Sequence, residues 1–156
     1  MFRKMRRAKQ ALDEEECIDI LIKEPRGVLA VLGDDDYPYA VPLSHVYSDG
    51  KIYFHGTIKD SHKRDAIEKH EKVSYCVMDK GTKSESWWYT FKSVIVFGKM
   101  RTIEDRDAKI EKLTQLGNKF FPSEKETKDE IDRLLDVTEL YEITIDHMSG
   151  KMVEEK

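Results

Sequence analysis

Apolar and polar positions change their period several times along the chain, and each change predicts an element. Asp13-Glu14-Glu15-Glu16 reads as an N-cap with acids in the first turn, and Cys17, Ile18, Leu21 and Ile22 follow at helical spacing. The spacing predicts an amphipathic helix over 13–23, stopped by Pro25. From Gly27 the pattern becomes that of strands. Gly27 to Leu32 is an apolar, β-branched run, Asp34-Asp35-Asp36 supplies a turn, and Tyr39 to Tyr47 forms a second strand. Asp49-Gly50 between apolar segments is a strong hairpin signal and leads into Ile52-Tyr53-Phe54-His55, so the first three strands are expected to form a meander.

Ser61 can cap a helix that turns Ala66 and Ile67 inward and runs to about His70, and Val73 to Met78 reads as a fourth strand. Polar residues from Asp79 to Ser86 make a loop. Trp87 to Thr102 is a fifth strand, or a pair broken near Lys92. Helical spacing resumes at Ile103, Ile110, Leu113, Leu116 and Phe120, closes at Pro122, and returns more weakly through Ile131, Leu134 and Leu135. Charge runs on these later helices read as solvated faces. Thr138 to His147 alternates Tyr141, Ile143 and Ile145 as a sixth strand. A parallel sheet would need a helix between most strands; six strands with short hairpins and one crossover helix fit a mainly β, six-stranded barrel with peripheral α-helices.

The 156 residues fall within the usual range of one domain, taken as 1–156 with a basic extension over 1–12. With 27 basic against 31 acidic side chains, the net charge of -4 argues against a nucleic-acid binder, which needs a clustered positive field. Arg3-Lys4-Met5-Arg6-Arg7 is the one dense cationic run; it reads as a solvated terminus, or else as a contact for an anionic surface. Cys17 and Cys76 lack the spacing of a metal site or redox dithiol, so no metal is expected. No apolar segment is long enough for a signal peptide or a bilayer span, and the expected location is the cytoplasm, away from membranes.

The chemistry concentrates between Pro38 and Lys63. Proline inside a strand is tolerated at an edge or bulge, so Pro42 marks an open strand, suited to a flat ring that needs an apolar wall. Ser61-His62-Lys63 opens a helix, where free N–H groups and the positive dipole end favour a phosphate. The Ser61 hydroxyl and Lys63 ammonium, with His62, could add charge-assisted bonds, although Ser61 also reads as a simple N-cap and Lys63 as a solvated residue. If Ile52 and Phe54 face the core, His55 lies on the opposite side, near the opening at Pro42. Trp87-Trp88-Tyr89 reads either as a lid over a bound ring or as ordinary packing.

Taken in order, these segments resemble the FMN-binding split barrels related to pyridoxamine 5'-phosphate oxidase, and most of all the nitroimidazole-resistance (Nim) proteins. The resemblance rests on Pro38 to Leu43, Asp49-Gly50, Ile52 to His55, Ser61 to Lys63, Ser93-Val94-Ile95-Val96-Phe97-Gly98 and Ser149-Gly150-Lys151. Serine stands at position 61 where Nim proteins usually carry glycine, and resembles the Ser-Arg-Lys phosphate site of the true oxidases. Their arginine-bearing carboxyl-terminal substrate motif is not matched by Met152-Val153-Glu154-Glu155-Lys156, so vitamin B6 oxidation is not expected.

The resemblance implies that Val41, Pro42 and Leu43 line a flavin, that Thr57, Ser61, His62 and Lys63 hold its phosphate, and that Ser93 and Val94 approach from the next strand. It implies that His55 stands beside both cofactor and substrate as the catalytic residue, and that two copies form a homodimer with FMN sites at the subunit interface. The expected activity is an FMN-dependent reductase that takes electrons from an outside donor, such as NAD(P)H, and reduces a small electron-poor compound, such as a 5-nitroimidazole. The alternatives are a flavin carrier or sensor without turnover, a haem-binding relative of the barrel, or a deazaflavin in place of FMN.

Overall fold

The computed structural model describes residues 1–59 and 61–154. A short β1, Ala11–Leu12, precedes α1, Glu14–Lys23. The Asp13 carboxylate accepts from the Glu16 N–H at 2.8 Å, and Glu16 accepts in return from the Asp13 N–H at 3.2 Å. This reciprocal cap fixes the start that the sequence predicts. The buried face of α1 is Cys17, Ile20 and Leu21, whereas Ile22 is exposed. The helix is thus rotated slightly from the expected Cys17, Ile18, Leu21 and Ile22 stripe, because an i, i+3, i+4 set makes the better contact with the sheet.

The remaining strands are β2 Arg26–Leu32, β3 Pro38–Ser44, β4 Val46–Ser48, β5 Lys51–Thr57, β6 Lys72–Met78, β7 Thr82–Lys83, β8 Tyr89–Thr102 and β9 Thr138–Glu154. They join in the order β3-β2-β6-β8-β9-β5-β4, with β1 on β9 and β7 on β8, and every pairing is antiparallel. The two ends of that path, β3 and β4, are separated in the chain only by His45. The sheet therefore curls until its ends meet at this residue. The expected second strand is one bent strand that exchanges β2 for β5 as its partner, so the meander holds in connectivity but is interrupted at His45. With the bent strand counted once and the two short strands set aside, the described residues give the six expected strands.

Three further differences have local causes. The β8 strand does not break at Lys92; its irregularity lies at Phe97/Gly98, where the β9 partner jumps from His147 to Ile145 and Asp146 bulges out. The sixth strand continues past His147 to Glu154, held by β8 along its length. The loop from Asp79 includes β7, paired to Tyr89 and Thr90. At the β4–β5 hairpin, φ of 51° at Asp49 and 74° at Gly50 produce the left-handed pair that an Asp-Gly turn is built to adopt.

Alternation along the strands turns Ile52, Phe54, Tyr75, Val94, Val96, Tyr141 and Ile143 into the barrel core. A smaller cluster of Tyr53, Leu113, Leu135 and Leu140 lies outside the barrel, beneath α3 Arg106–Phe120 and α4 Glu124–Leu134. Each such side chain contributes about 1.5–3 kcal/mol on burial. The expected start of helical spacing at Ile103 falls before α3, which begins after the Asp105 cap. The N-terminal extension is not simply solvated: Phe2 stacks on His147 at 4.5 Å and on Phe97 at 5.6 Å. No helix among the described residues is long and apolar enough to cross a membrane.

His45, at the bend, is fully buried. Its ring bonds the Leu21 carbonyl through Nε2 at 2.8 Å and the Tyr75 hydroxyl through Nδ1 at 3.0 Å. Burial, opposed by the Leu21 bond and aided by Lys119, lowers its pKa from 6.5 to about 4. Between these values the unfolded chain binds the extra proton, so stability is lost as the pH falls through the window. Urea unfolding at pH 7 and pH 5 is expected to show a loss of about 2 kcal/mol that His45→Gln does not share. Equal losses in both proteins would show that another group controls the acid sensitivity.

Candidate functional site

The site begins on β5. Ile52 and Phe54 point into the barrel, so Tyr53 and His55 point out, as alternation requires. Gly56 follows, and α2, His62–Lys69, delivers Lys63 across it. A Cβ at Gly56 would stand 2.8 Å from Lys63 Nζ and 3.0 Å from the Tyr141 ring. The missing side chain is what lets the ammonium lie against the strand, 5.3 Å from the Tyr141 ring centroid. Lys63 is half-buried, and burial lowers its pKa while Glu139 opposes the shift. Among the described residues no carboxylate lies within ion-pair distance of Nζ. A cation partly removed from water and lacking a carboxylate partner is suited to an anionic ligand group.

Ser61 is the N-cap of α2, and its bonds assign its proton. Tyr141 donates its hydroxyl proton to Glu139 at 2.5 Å, so the Ser61 hydroxyl donates to the Tyr141 oxygen at 3.2 Å while accepting from the Arg64 N–H at 3.4 Å. Arg64 in turn reaches Glu139 at 3.3 Å. Ser61 is 8% exposed and fully engaged, which leaves Lys63 as the group free to meet an anion.

Beside His55 lies an apolar cleft of about 310 Å³ between the barrel and the α3–α4 hairpin. The barrel contributes Ser44, His55 and Thr138, and the helical side contributes Leu113, Leu116, Phe120, Ile131, Leu134 and Leu135. His55 is exposed to solvent, yet the surrounding protein, and then the Lys63 charge, hold its pKa below the ordinary 6.5.

The pyridoxamine 5'-phosphate oxidase family model matches residues 13–152. The chain belongs to that family. Solved structures with the same fold include a candidate 5-nitroimidazole antibiotic resistance protein from Bacteroides thetaiotaomicron, 16% identical over 92% of this chain and 87% of its own, with a TM-score of 0.77. A conserved hypothetical protein from Mycobacterium tuberculosis is 21% identical over 95% and 90% of the two chains, with a TM-score of 0.80. The FAD and heme binding protein from Mycobacterium smegmatis is 23% identical over 92% and 73%, with a TM-score of 0.73. No curated protein matches the chain.

On this family fold the other expected site residues separate. Val41 and Leu43 pack toward the core, while Pro42, between them, faces outward on an edge strand that asks no donor of it. Val94 is fully buried, and Ser93 lies on the opposite face of β8 between Met78 and Lys151. His62 stacks on Tyr39 at 4.3 Å and accepts from the Asp34 N–H at 3.3 Å, so it ties α2 to the turn before β3. Thr57 is exposed and donates to the Lys59 carbonyl at 3.2 Å. Trp87 and Tyr89 are exposed and Trp88 meets Trp87 edge-on, so the aromatic cluster is not core packing.

Sequence reasoning missed Gly56, Ser44, Tyr141 and the cleft wall. Gly56, a glycine inside a strand, was a readable signal of close approach. The wall was hidden because its apolar positions are interleaved with charge runs that do face solvent.

Proposed function

We propose that this chain is an FMN-dependent reductase of small electron-poor compounds, acting as a homodimer. The observation that carries the reading is the half-buried Lys63 ammonium, with no carboxylate partner among the described residues, beside an outward-facing histidine at the edge of an apolar cleft. Lys63 and the start of α2 would hold the flavin phosphate, with Thr57 at the edge of that site. Pro42 and Ser93 offer outward surface to the ring, and Val41, Leu43 and Val94 support the strands from within. Bound flavin supplies reversible electron transfer from an outside donor, such as NAD(P)H, to the acceptor. The exposed apolar face formed by Val28, Ile95 and Phe97 is of the kind a second copy covers, which supports the dimer.

His55 supplies a proton. Taking a nitro group to nitroso consumes two electrons and two protons and releases one water; the imidazolium can protonate the departing oxygen. Because its pKa lies below 6.5, the acid form grows as the pH falls, and the rate is expected to rise toward an apparent pKa below that value. His55→Ala is expected to keep FMN, lower nitroimidazole reduction by about 100-fold and flatten this acid limb. Unchanged reduction would remove His55 from the mechanism.

A second reading is a flavin or haem carrier without turnover, favoured by the likeness to the FAD and heme binding protein. It requires bound cofactor with no acceptor-dependent oxidation, and for haem a Soret band in place of flavin absorbance.

A further inference from the structure

The α3–α4 hairpin leaves a cleft whose polar lining is sorted in a way that specifies a ligand. Thr127 donates to the Ser123 carbonyl at 3.3 Å, Thr138 to the Leu134 carbonyl at 2.8 Å, and Glu130 is held by Arg133 at 2.6 Å. Each of these polar groups is therefore satisfied locally, Thr127 and Glu130 within the α4 segment and Thr138 where α4 runs into β9. On the barrel side, among the described residues, no hydrogen bond engages the Ser44 hydroxyl or the His55 ring. The lining thus has one apolar wall, of Leu113, Leu116, Phe120, Ile131, Leu134 and Leu135, and one wall with two uncommitted hydrogen-bonding groups.

We infer that this cleft binds a neutral, single-ring organic compound, its ring against the α3–α4 wall and one hydrogen-bond acceptor directed at Ser44 and His55. The volume, about 310 Å³, is at the small end of ligand sites and suits one ring with short substituents. Neutrality follows from the walls. A carboxylate would lose its hydration against leucines with no lysine or arginine among the lining residues, and a cation would meet the positive charge of Lys63 behind His55. The helical hairpin thereby sets specificity, while the barrel wall orients the acceptor toward the proton source. As an assignment of the reductase's substrate class, this rests on the function proposed above; as a binding site, it does not.

The test uses flavin-free protein, with nitrobenzene as the neutral probe and 4-nitrobenzoate as its charged counterpart, and binding read by NMR shift titration. Nitrobenzene is expected to bind, 4-nitrobenzoate to bind at least about tenfold more weakly, and Leu134→Trp, which fills the cleft from a half-exposed position, to weaken nitrobenzene by about tenfold. Ser44→Ala, which removes a hydroxyl without adding bulk, is expected to weaken nitrobenzene by about threefold or more. If circular dichroism shows that Leu134→Trp does not fold, Ser44→Ala decides. Equal affinity for the two probes, absence of nitrobenzene binding, or indifference to both substitutions overturns the inference. FMN titration of the same proteins separates the two claims: nitrobenzene binding without FMN binding keeps the cleft and removes the flavin reading, and the converse removes the cleft alone.

Discussion

Lys63→Ala is expected to release FMN while leaving the barrel folded. The ammonium lies over Gly56 with no carboxylate partner among the described residues, so no ion pair among them is lost with it. What is lost is one charge-assisted contact to phosphate, and removing it should weaken FMN by about 10- to 100-fold. Riboflavin, which has the same ring system and no phosphate, provides the internal control. Its affinity is expected to be the same for wild type and Lys63→Ala, and Lys63→Arg should recover part of the FMN affinity. Fluorescence quenching of each flavin measures all of these. An FMN affinity unchanged in Lys63→Ala would move the phosphate elsewhere, away from the start of α2.

The second large effect concerns the fold. A Cβ at Gly98 would stand 2.3 Å from the Thr144 carbonyl oxygen and 2.8 Å from the Ile143 side chain. The first contact is with backbone of a paired strand, which cannot swing aside as a side chain can. Gly98 also sits where β8 and β9 change register around Asp146, so any relief must open the bulge. Gly98→Ala is expected to cost about 3 kcal/mol, which for a chain of this size lowers the midpoint of thermal unfolding by about 6–12 °C. A midpoint within about 2 °C of wild type would show that the bulge yields easily. Gly56→Ala makes a useful contrast. Its nearest neighbour is the flexible end of Lys63, so the displaced ammonium should register more in FMN affinity than in stability.

The strand pattern was legible because the strands are half-buried and alternate cleanly. Tyr53 and His55 could be assigned to the outside from Ile52 and Phe54 alone, and Asp49-Gly50 announced its turn. Closure of the barrel was not legible. It depends on His45 being buried as a neutral ring between Leu21 and Tyr75, and nothing local distinguishes that histidine from a surface one. The same holds for Ser61, whose residue type fits a phosphate ligand or an N-cap. The structure engages it with Tyr141 and Arg64, through a partner 80 residues away in the chain. Val41, Pro42 and Leu43 show a third limit. A contiguous motif in a strand alternates between faces, so three neighbours cannot all present side chains to one ligand. The cleft was beyond reach because its two walls come from elements that the chain brings together only in the fold.

The most direct test of the proposed function is the absorbance spectrum of the purified protein with FMN, followed under anaerobic conditions by NAD(P)H and then by a nitroimidazole. The expected result is bound flavin that bleaches with the donor and recovers its colour with the nitro compound, and loses that recovery in His55→Ala. Flavin that does not bind, or that bleaches and stays reduced in the presence of the nitro compound, would contradict it.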